Sequence, residues 1–301
     1  MPSPMLSILI PTWNNLPFLK LCIDSVRRHS GEAHEILVHV NDGSDGTLAW
    51  VREQGLRHTH SVGNVGVCLA LNQLAPLASH DQLLFLNDDM FVTPGWDTAL
   101  IDAARTLDTP IYYLSSVMIE PNAGVSKQVV SHDFGTTPQT FDETALLAFA
   151  ASLNRGDVNG VPTQPTLVSR GLWHLVGGYS IEFGPGMSSD DDFLMKLWLV
   201  GCRTFRIVGK SVVYHFGCRS TGRVVKNRGS REFLMKWGMT QAEFKRDYLD
   251  LAGTPAGAAL PNVPRPSGKS RIKRALHGSK PYPLEDLERW DPNVPQHLKL
   301  D

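Results

Sequence analysis

The sequence predicts an α/β fold on a mostly parallel sheet, and three observations carry that reading. Short apolar runs alternate with segments of helical period through the first half of the chain. Several of those runs end abruptly in polar turns such as Asn41-Asp42-Gly43 and Asn87-Asp88-Asp89. At 301 residues, 42% hydrophobic and 20% charged, the chain has the composition of a folded globular protein and length for two average domains or one large α/β unit.

Residues 6–10, Leu-Ser-Ile-Leu-Ile, read as a buried strand stopped by Pro11. Asn14 or Asn15 can cap the next helix, with Pro17 tolerated in its first turn. Leu16, Leu19, Ile23 and Val26 recur at helical spacing, and Arg27, Arg28 and His29 before Gly31 suit a helix end. A strand over 35–40 runs into the turn at 41–46. A helix near 47–54, a short strand at 56–59 and a helix over 65–77 follow. A strand over 82–86, a helix over 96–107 and a strand over 111–119 complete the regular half.

The second half is less regular. Residues 121–140 are rich in Gly, Ser, Thr and Asn and read as a long loop or lid. Residues 167–179 read as a strand and turn carrying Gly177 and Gly178, 190–200 as a helix, and 212–215 as the last strand. Residues 253–266 are rich in Pro, Ala and Gly and read as a linker. It leads to a basic tail with Arg265, Lys269, Arg271, Lys273, Arg274 and Lys280 and no acid among them.

Lys plus Arg is 29 against 30 Asp plus Glu, so no global attraction draws the chain to nucleic acid or an anionic membrane. No apolar run approaches the ~18 residues of a transmembrane segment, and the first residues lack the pattern of a signal peptide. Cys22, Cys68, Cys202 and Cys218 form no CxxC pair, so buried reduced thiols are expected rather than a zinc cluster or disulfide framework. The expected protein is soluble and cytoplasmic, with the tail as a potential peripheral contact to the inner face of a membrane or to a polyanion.

The strongest chemical signal is the carboxylate pair Asp88-Asp89 after a strand, because ligands of open α/β sheets bind outside the carboxyl ends of the strands. Two acids there supply the hard oxygen ligands a divalent cation takes, bridging to phosphate. A turn would explain the same residues without chemistry. Asp42 ends the second strand in the same row, and Pro11, Thr12, Trp13 and Asn14 would line the same crevice, Trp13 offering a flat face to a base. Ser188-Ser189-Asp190-Asp191-Asp192 opens an amphipathic helix. Capping and the helix dipole explain one or two of these acids, and three less well. Helical phase groups Asp190 with Leu194 and Leu197 on the inward face, while Asp192 pairs with Lys196 and points outward. A carboxylate at a helix N-terminus stays ionised, as a general base must. His215 ends a strand beside a one-sided basic run with Arg206, Lys210, Arg219, Arg223, Lys226 and Arg228, which fits a phosphate-bearing ligand or a solvated face. Two tempting matches fail: Pro266-Ser267-Gly268-Lys269-Ser270 lacks the leading glycine and strand of a phosphate loop, and Gly63-Asn64-Val65-Gly66 lacks the dinucleotide spacing.

Taken in order, these pieces resemble the inverting family-2 glycosyltransferases of the GT-A fold. The matching text is residues 7–14, Asn41 to Thr47, Asn64-Val65-Gly66 continuing to Ala70 and Asn72, Leu86-Asn87-Asp88-Asp89 with Pro94-Gly95-Trp96, Val176-Gly177-Gly178-Tyr179, the acidic helix start and Tyr214-His215. The likeness spans about residues 5 to 222. It implies a Rossmann-like nucleotide-binding mixed sheet flanked by helices, with a short C-terminal extension. Residues 1–250 would be the transferase domain, 1–115 its nucleotide-sugar-binding half and 116–250 its acceptor half, and 251–301 the linker and tail.

The resemblance further implies a nucleoside-diphosphate sugar donor and a hydroxyl acceptor, whether saccharide, lipid-linked glycan or other, in bacterial or phage glycan synthesis. Asn87-Asp88-Asp89 would be the DxD element, with Asp89 the Mn²⁺ or Mg²⁺ ligand, Asp88 a ribose or phosphate contact and Asn87 in place of the first acid. Asp42 would read the donor base, with UDP or dTDP favoured. Asn72, Pro11, Thr12, Trp13 and Asn14 would join the donor site, and His215 would complete the metal site. The base position falls on Asp190, with Asp191 as a rival because Ser189 departs from the family's acid. Two other classes compete. A nucleotidyltransferase would need a Gly-rich loop with a basic residue after the first strand, which Pro11-Thr12-Trp13-Asn14 does not supply. A nucleotide-sugar-binding or polyanion-binding protein would rest on binding alone.

Overall fold

The computed structural model describes residues 5–123, 128–161, 164–217, 227–249 and 266–278. The first half builds β1 (Leu6–Trp13), α1 (Leu16–His29), β2 (Glu35–Asn41), α2 (Thr47–Glu53), β3 (Arg57–Ser61) and α3 (Gly66–Leu74). It continues with β4 (Gln82–Phe85), β5 (Met90–Val92), α4 (Trp96–Arg105) and β6 (Tyr113–Glu120). Next come β7 (Val129–Ser131), α5 (Glu143–Ser152), β8 (Val158–Asn159), β9 (Thr166–Ser169), α6 (Arg170–Leu175) and α7 (Ser189–Leu199). The last elements are β10 (Phe205–His215), α8 (Gly229–Trp237), α9 (Gln241–Asp247) and α10 (Gly268–Gly278).

One mixed sheet runs in the order β3-β2-β1-β4-β9-β6-β10-β5, with β7 beside β6 and β8 beside β10. The stretch β3-β2-β1-β4 is parallel throughout. Strand β9 then runs antiparallel to both β4 and β6, and β5 antiparallel to β10. Period-two alternation sorts the apolar residues onto two faces. Leu6, Ile8 and Ile10 of β1 join Leu84 of β4 beneath α1, α2 and α4. Leu9, Leu83 and Phe85 face the opposite way, into the core closed by α3, α6, α7, α8 and α9. A third cluster gathers Phe91, Ile119 and Tyr214 against Leu146 of α5. Burial of this size on both sheet faces is the main stabilising contribution.

Several expectations change. Pro11 does not stop β1, which pairs with β2 as far as Trp13↔Asn41. Its pairing with β4 ends at Leu9↔Phe85, and Leu9 O accepts from Leu86 N–H. Pro11 is in phase with Leu9, so its missing N–H falls on the side that β4 has already left. Asn15 makes no side-chain capping bond; the Asp45 carboxylate accepts from Leu16 N–H at 3.0 Å instead. The region expected as a long loop contains β7, and α5 follows it, capped by Asp142 accepting from Ala145 N–H at 2.9 Å. The helix α6 lies between β9 and the turn that carries Gly177 and Gly178, and β10 begins at Phe205 rather than Val212. Helices α8 and α9 lie where no element was expected, and α10 lies within the basic tail. Cys22, Cys68 and Cys202 are buried free thiols, and Cys218 lies outside the described residues. Among the described residues no helix is long and apolar enough to cross a membrane.

Candidate active site

Parallel pairing brings the ends of β2, β1 and β4 side by side, and polar residues at the end of the central strand reach both neighbours. Thr12 Oγ1 donates to Asp88 Oδ2 at 2.6 Å, toward β4. Asn14 Nδ2 donates to Asp42 Oδ2 at 2.8 Å, toward β2, and Asn14 Oδ1 accepts from Gly43 N–H at 2.9 Å. Asn14 and Asp42 both sit at positive φ, 44° and 62°. Asn and Asp tolerate this region better than other non-glycine residues because their short side chains bond locally. Asp42 Oδ1 accepts from Ser44 N–H at 3.2 Å. Pro11 lies in register with His39 and Trp13 with Asn41, both half-buried at the crevice end of β1. Asn87 turns the chain after β4, its carbonyl accepting from the buried Cys22 thiol at 3.5 Å.

Asp89 is buried, 5% exposed, and meets the end of β10. Its Oδ1 lies 3.3 Å from His215 Nε2, and its carbonyl accepts from Phe216 N–H at 3.0 Å. On its other side His215 Nδ1 lies 2.6 Å from Glu120 Oε1, at the end of β6. A carboxylate only accepts, so Nδ1 carries the proton. Burial opposes charge on this imidazole, but the Asp89 charge, its hydrogen bond and Glu120 outweigh it and push the group up to about 10. Glu120 was missed in the sequence, although it ends a strand beside Ile119 and the strand-end rule that selected Asp42 and Asp88 applies to it equally.

The donor set fits a hard divalent cation. One carboxylate and one imidazole converge from two strand ends, with the second imidazole nitrogen fixed by a carboxylate as in many metal-bound histidines. No group of three or more His, Cys, Asp or Glu side chains suited to a metal occurs among the described residues. Substrate oxygens and water can complete the shell of such a cation.

The three acids at the start of α7 point to three different partners. Asp191 Oδ1 pairs with Lys245 at 2.8 Å and its Oδ2 accepts from Gln241, both on α9. Asp192 is fully buried, with Oδ1 at 2.8 Å from Lys236 Nζ and 2.9 Å from Trp237 Nε1, both on α8. It does not point outward as the helical phase suggested; α8 covers that face. Lys196 Nζ is 4.0 Å from Asp192 and also donates to Gly178 O.

Asp190 meets neutral donors instead. Tyr179 Oη donates to its Oδ1 at 2.8 Å and Gln164 Nε2 to the same oxygen at 3.0 Å. Burial pushes its carboxyl up to about 6, opposed by the Tyr179 bond and reinforced by the Asp191 charge. The helix N-terminus therefore does not keep it at an ordinary carboxylate value. Tyr179 and Gln164 were not foreseen as parts of the site, and Gln164 carries no pattern that could have marked it.

Asn72 engages the backbone of Tyr179 from both ends of its amide, Nδ2 to the carbonyl at 2.7 Å and Oδ1 from the N–H at 2.9 Å. It reaches the site through Tyr179. Gly178, at φ 61°, leaves room for that clamp, since a Cβ there would stand 2.4 Å from Asn72 Oδ1. Of the basic run, Arg206 lies 3.7 Å from Asp157 and Lys210 is exposed. Arg219, Arg223 and Lys226 lie outside the described residues.

The structure thus sets oriented carboxylates along the ends of parallel strands in a mixed α/β sheet, and a half-buried acid, Asp190, at the start of α7. The family model for glycosyl transferase family 2 matches residues 7–155, the stretch that carries Thr12, Asn14, Asp42, Asp88, Asp89 and Glu120. The chain belongs to this family of glycosyltransferases and has the GT-A fold.

Similar solved structures include residues 1–349 of S. aureus TarS, alone and in complex with UDP. Each has a TM-score of 0.50 and 16% identity and covers 70% of this chain and 60% of that one. Another is GalNAc-T7 with UDP, GalNAc and Mn²⁺, with a TM-score of 0.55 and 13% identity over 99% of this chain and 56% of that one. The chain thus spans about 60% of the length of the TarS structures. No curated protein sequence matches it.

Proposed function

We propose that the chain moves a sugar from a nucleoside-diphosphate sugar, UDP or dTDP favoured, to an acceptor hydroxyl with inversion, and that Asp190 is the general base. One observation carries the base assignment. Of three consecutive acids, Asp191 and Asp192 are ion-paired to lysines of α9 and α8, whereas Asp190 is held by the neutral Tyr179 and Gln164. A carboxyl near 6 is ionised at neutral pH and close enough to it to accept a proton efficiently. Both neutral donors bond Oδ1, which leaves Oδ2 to take the acceptor's proton as its oxygen attacks the anomeric carbon.

In this reading residues 1–115 form the donor half and 116–250 the acceptor half. Asp42, held by Asn14, accepts from a ring N–H of the base, which uracil and thymine present. Trp13 offers the base a flat face at the end of β1. Thr12 keeps Asp88 oriented toward ribose or phosphate oxygens. Asp89 and His215 would hold Mn²⁺ or Mg²⁺, which when bound neutralises charge on the departing diphosphate. The imidazole tilts the choice toward Mn²⁺. The UDP in the TarS structure and the UDP and Mn²⁺ in the GalNAc-T7 structure support this donor chemistry by likeness of fold.

Thermal shift with UDP, dTDP, GDP, CDP and ADP, each with and without Mn²⁺, tests the proposal, since a ligand of the folded state raises its apparent stability. UDP or dTDP with Mn²⁺ should give the largest rise. A rise from CDP or ADP equal to that from UDP overturns the role of Asp42, and full transfer activity in excess EDTA overturns the metal.

A further inference from the structure

Helix α10 docks on the wrong side for an ordinary surface helix, which turns its apolar stripe inward. Ser270 is its buried residue, and its hydroxyl donates to the Glu243 carboxylate of α9. Glu243 also accepts from Ser267 N–H, and Thr240 N–H reaches Ser270 Oγ at 3.4 Å. Farther along, Arg231 Nη2 donates to His277 O at 3.1 Å, and the Arg274 guanidinium sits at Gly238, the residue that ends α8. The docked seam is therefore mostly polar, with the Met235 side chain of α8 beside Gly278 at its end.

At 100° per residue, Ile272 and Leu276 lie about 160° and 120° around the axis from Ser270. They are 63% and 61% exposed, two of the few large apolar side chains that face solvent among the described residues. Lys269 and Lys273 flank that stripe on one side and Arg271 on the other, all exposed, and α10 has no acidic residue.

We propose that α10 is a membrane-surface helix that seats the protein on an anionic bilayer. Ile272 and Leu276 enter the boundary of headgroups and acyl chains while Lys269, Arg271 and Lys273 meet the lipid phosphates. Lysine and arginine stems reach up from such a depth and keep their charges in the headgroup layer. Charge complementarity alone would also suit a nucleic acid, but a phosphate backbone gains nothing from two exposed aliphatic side chains between the cations. The polar seam on α8 and α9 gives the helix a fixed outward orientation before any lipid is met. The proposal stands apart from the sugar-transfer chemistry, and its failure would leave that chemistry untouched.

The test is flotation of the full chain with vesicles of phosphatidylcholine alone and of phosphatidylcholine mixed with phosphatidylglycerol. Wild type should float with the anionic vesicles at least about tenfold better than with the neutral ones. Ile272→Ser with Leu276→Ser, and separately Lys269→Gln with Arg271→Gln and Lys273→Gln, should each cut that binding about tenfold or more at an unchanged melting temperature. Wild type that fails to float overturns the proposal. So does a serine variant that floats like wild type while polyuridylate competes for binding, which would make the face a polyanion site. A serine variant that changes only the oligomeric state would assign the face to a second copy of the chain and likewise overturn it.

Discussion

The acids along the strand ends and the acids at the start of α7 are both clustered carboxylates, yet the protein holds them in opposite ways. Asp42 and Asp88 are oriented by the neutral side chains of Asn14 and Thr12 from the strand between them. At α7 two of the three acids are neutralised by lysines of later helices, and Asp190 alone is held by neutral donors. In the function we propose, the partner of each acid rather than its burial separates a working carboxylate from a structural one. In the proposed mechanism Asp190, held by neutral donors, keeps its charge for a proton, whereas Asp191 and Asp192 spend theirs on lysines that tie α7 to α9 and α8. Asp89 stands between these cases, facing an imidazole that a cation could share.

The comparison can be broken most sharply at Asp89. Asp89→Ala should take sugar transfer below detection and abolish Mn²⁺-assisted UDP binding in calorimetry. Next is Asp190→Asn, which should lower kcat by about 10²–10⁴-fold with donor binding nearly intact. The wild-type rate should fall as pH drops through about 6, where Asp190 takes up a proton, and the variant should lose that limb. Folding raises this carboxyl above its unfolded value, so the ionised group costs stability at pH above about 6. Asp190→Asn should therefore hold or raise the melting temperature at neutral pH. Asp191→Asn losing turnover at unchanged stability, with Asp190→Asn active, would move the base one residue along.

Glu120→Gln should weaken Mn²⁺ binding about 10–100-fold, read by metal titration of donor binding, because His215 loses the partner that fixes its ring. Asp42→Ala should be milder, raising the UDP dissociation constant about tenfold and narrowing the preference over CDP. The smallest catalytic effect belongs to Asp192→Asn. Turnover of the folded variant should stay near wild type, while stability falls by about 1–3 kcal/mol in denaturant unfolding, since a buried carboxylate is removed from Lys236 and Trp237. A large loss of kcat with no loss of stability would show that ion pairing to a lysine does not mark a structural acid here.

The row of polar strand ends was legible in the sequence because each of its parts is local. A buried strand followed by polar residues places those residues at a strand end, and parallel strands put such ends in one row. Pro11, Thr12, Trp13, Asn14, Asp42, Asn87, Asp88 and Asp89 follow from that rule without long-range information. Glu120 obeys it too, directly after the strand expected over 111–119, and was passed over. Tyr179 and Gln164 were beyond its reach. They meet Asp190 from segments 11 and 26 residues away, and neither the turn nor the irregular stretch that carries them has a pattern pointing to an acid.

Hydrophobic periodicity and turn chemistry by themselves determined the α/β class, the parallel run of strands, the row of acids and the helix that begins with three aspartates. Those properties depend on residues near one another in the chain, where period and phase suffice. Only the tertiary structure decided what each aspartate of that helix does. Helical phase assigned Asp192 to solvent, but α8 covers that face and supplies Lys236, so the acid is buried and paired. The fate of α10 was decided in the same way. Its composition reads only as a basic tail, whereas in the structure the buried Glu243 carboxylate accepts from Ser270 and the apolar stripe of the helix faces outward. A side chain's charge is written in the sequence; the partner that neutralises, orients or exposes it comes from another element, and packing alone brings the two together.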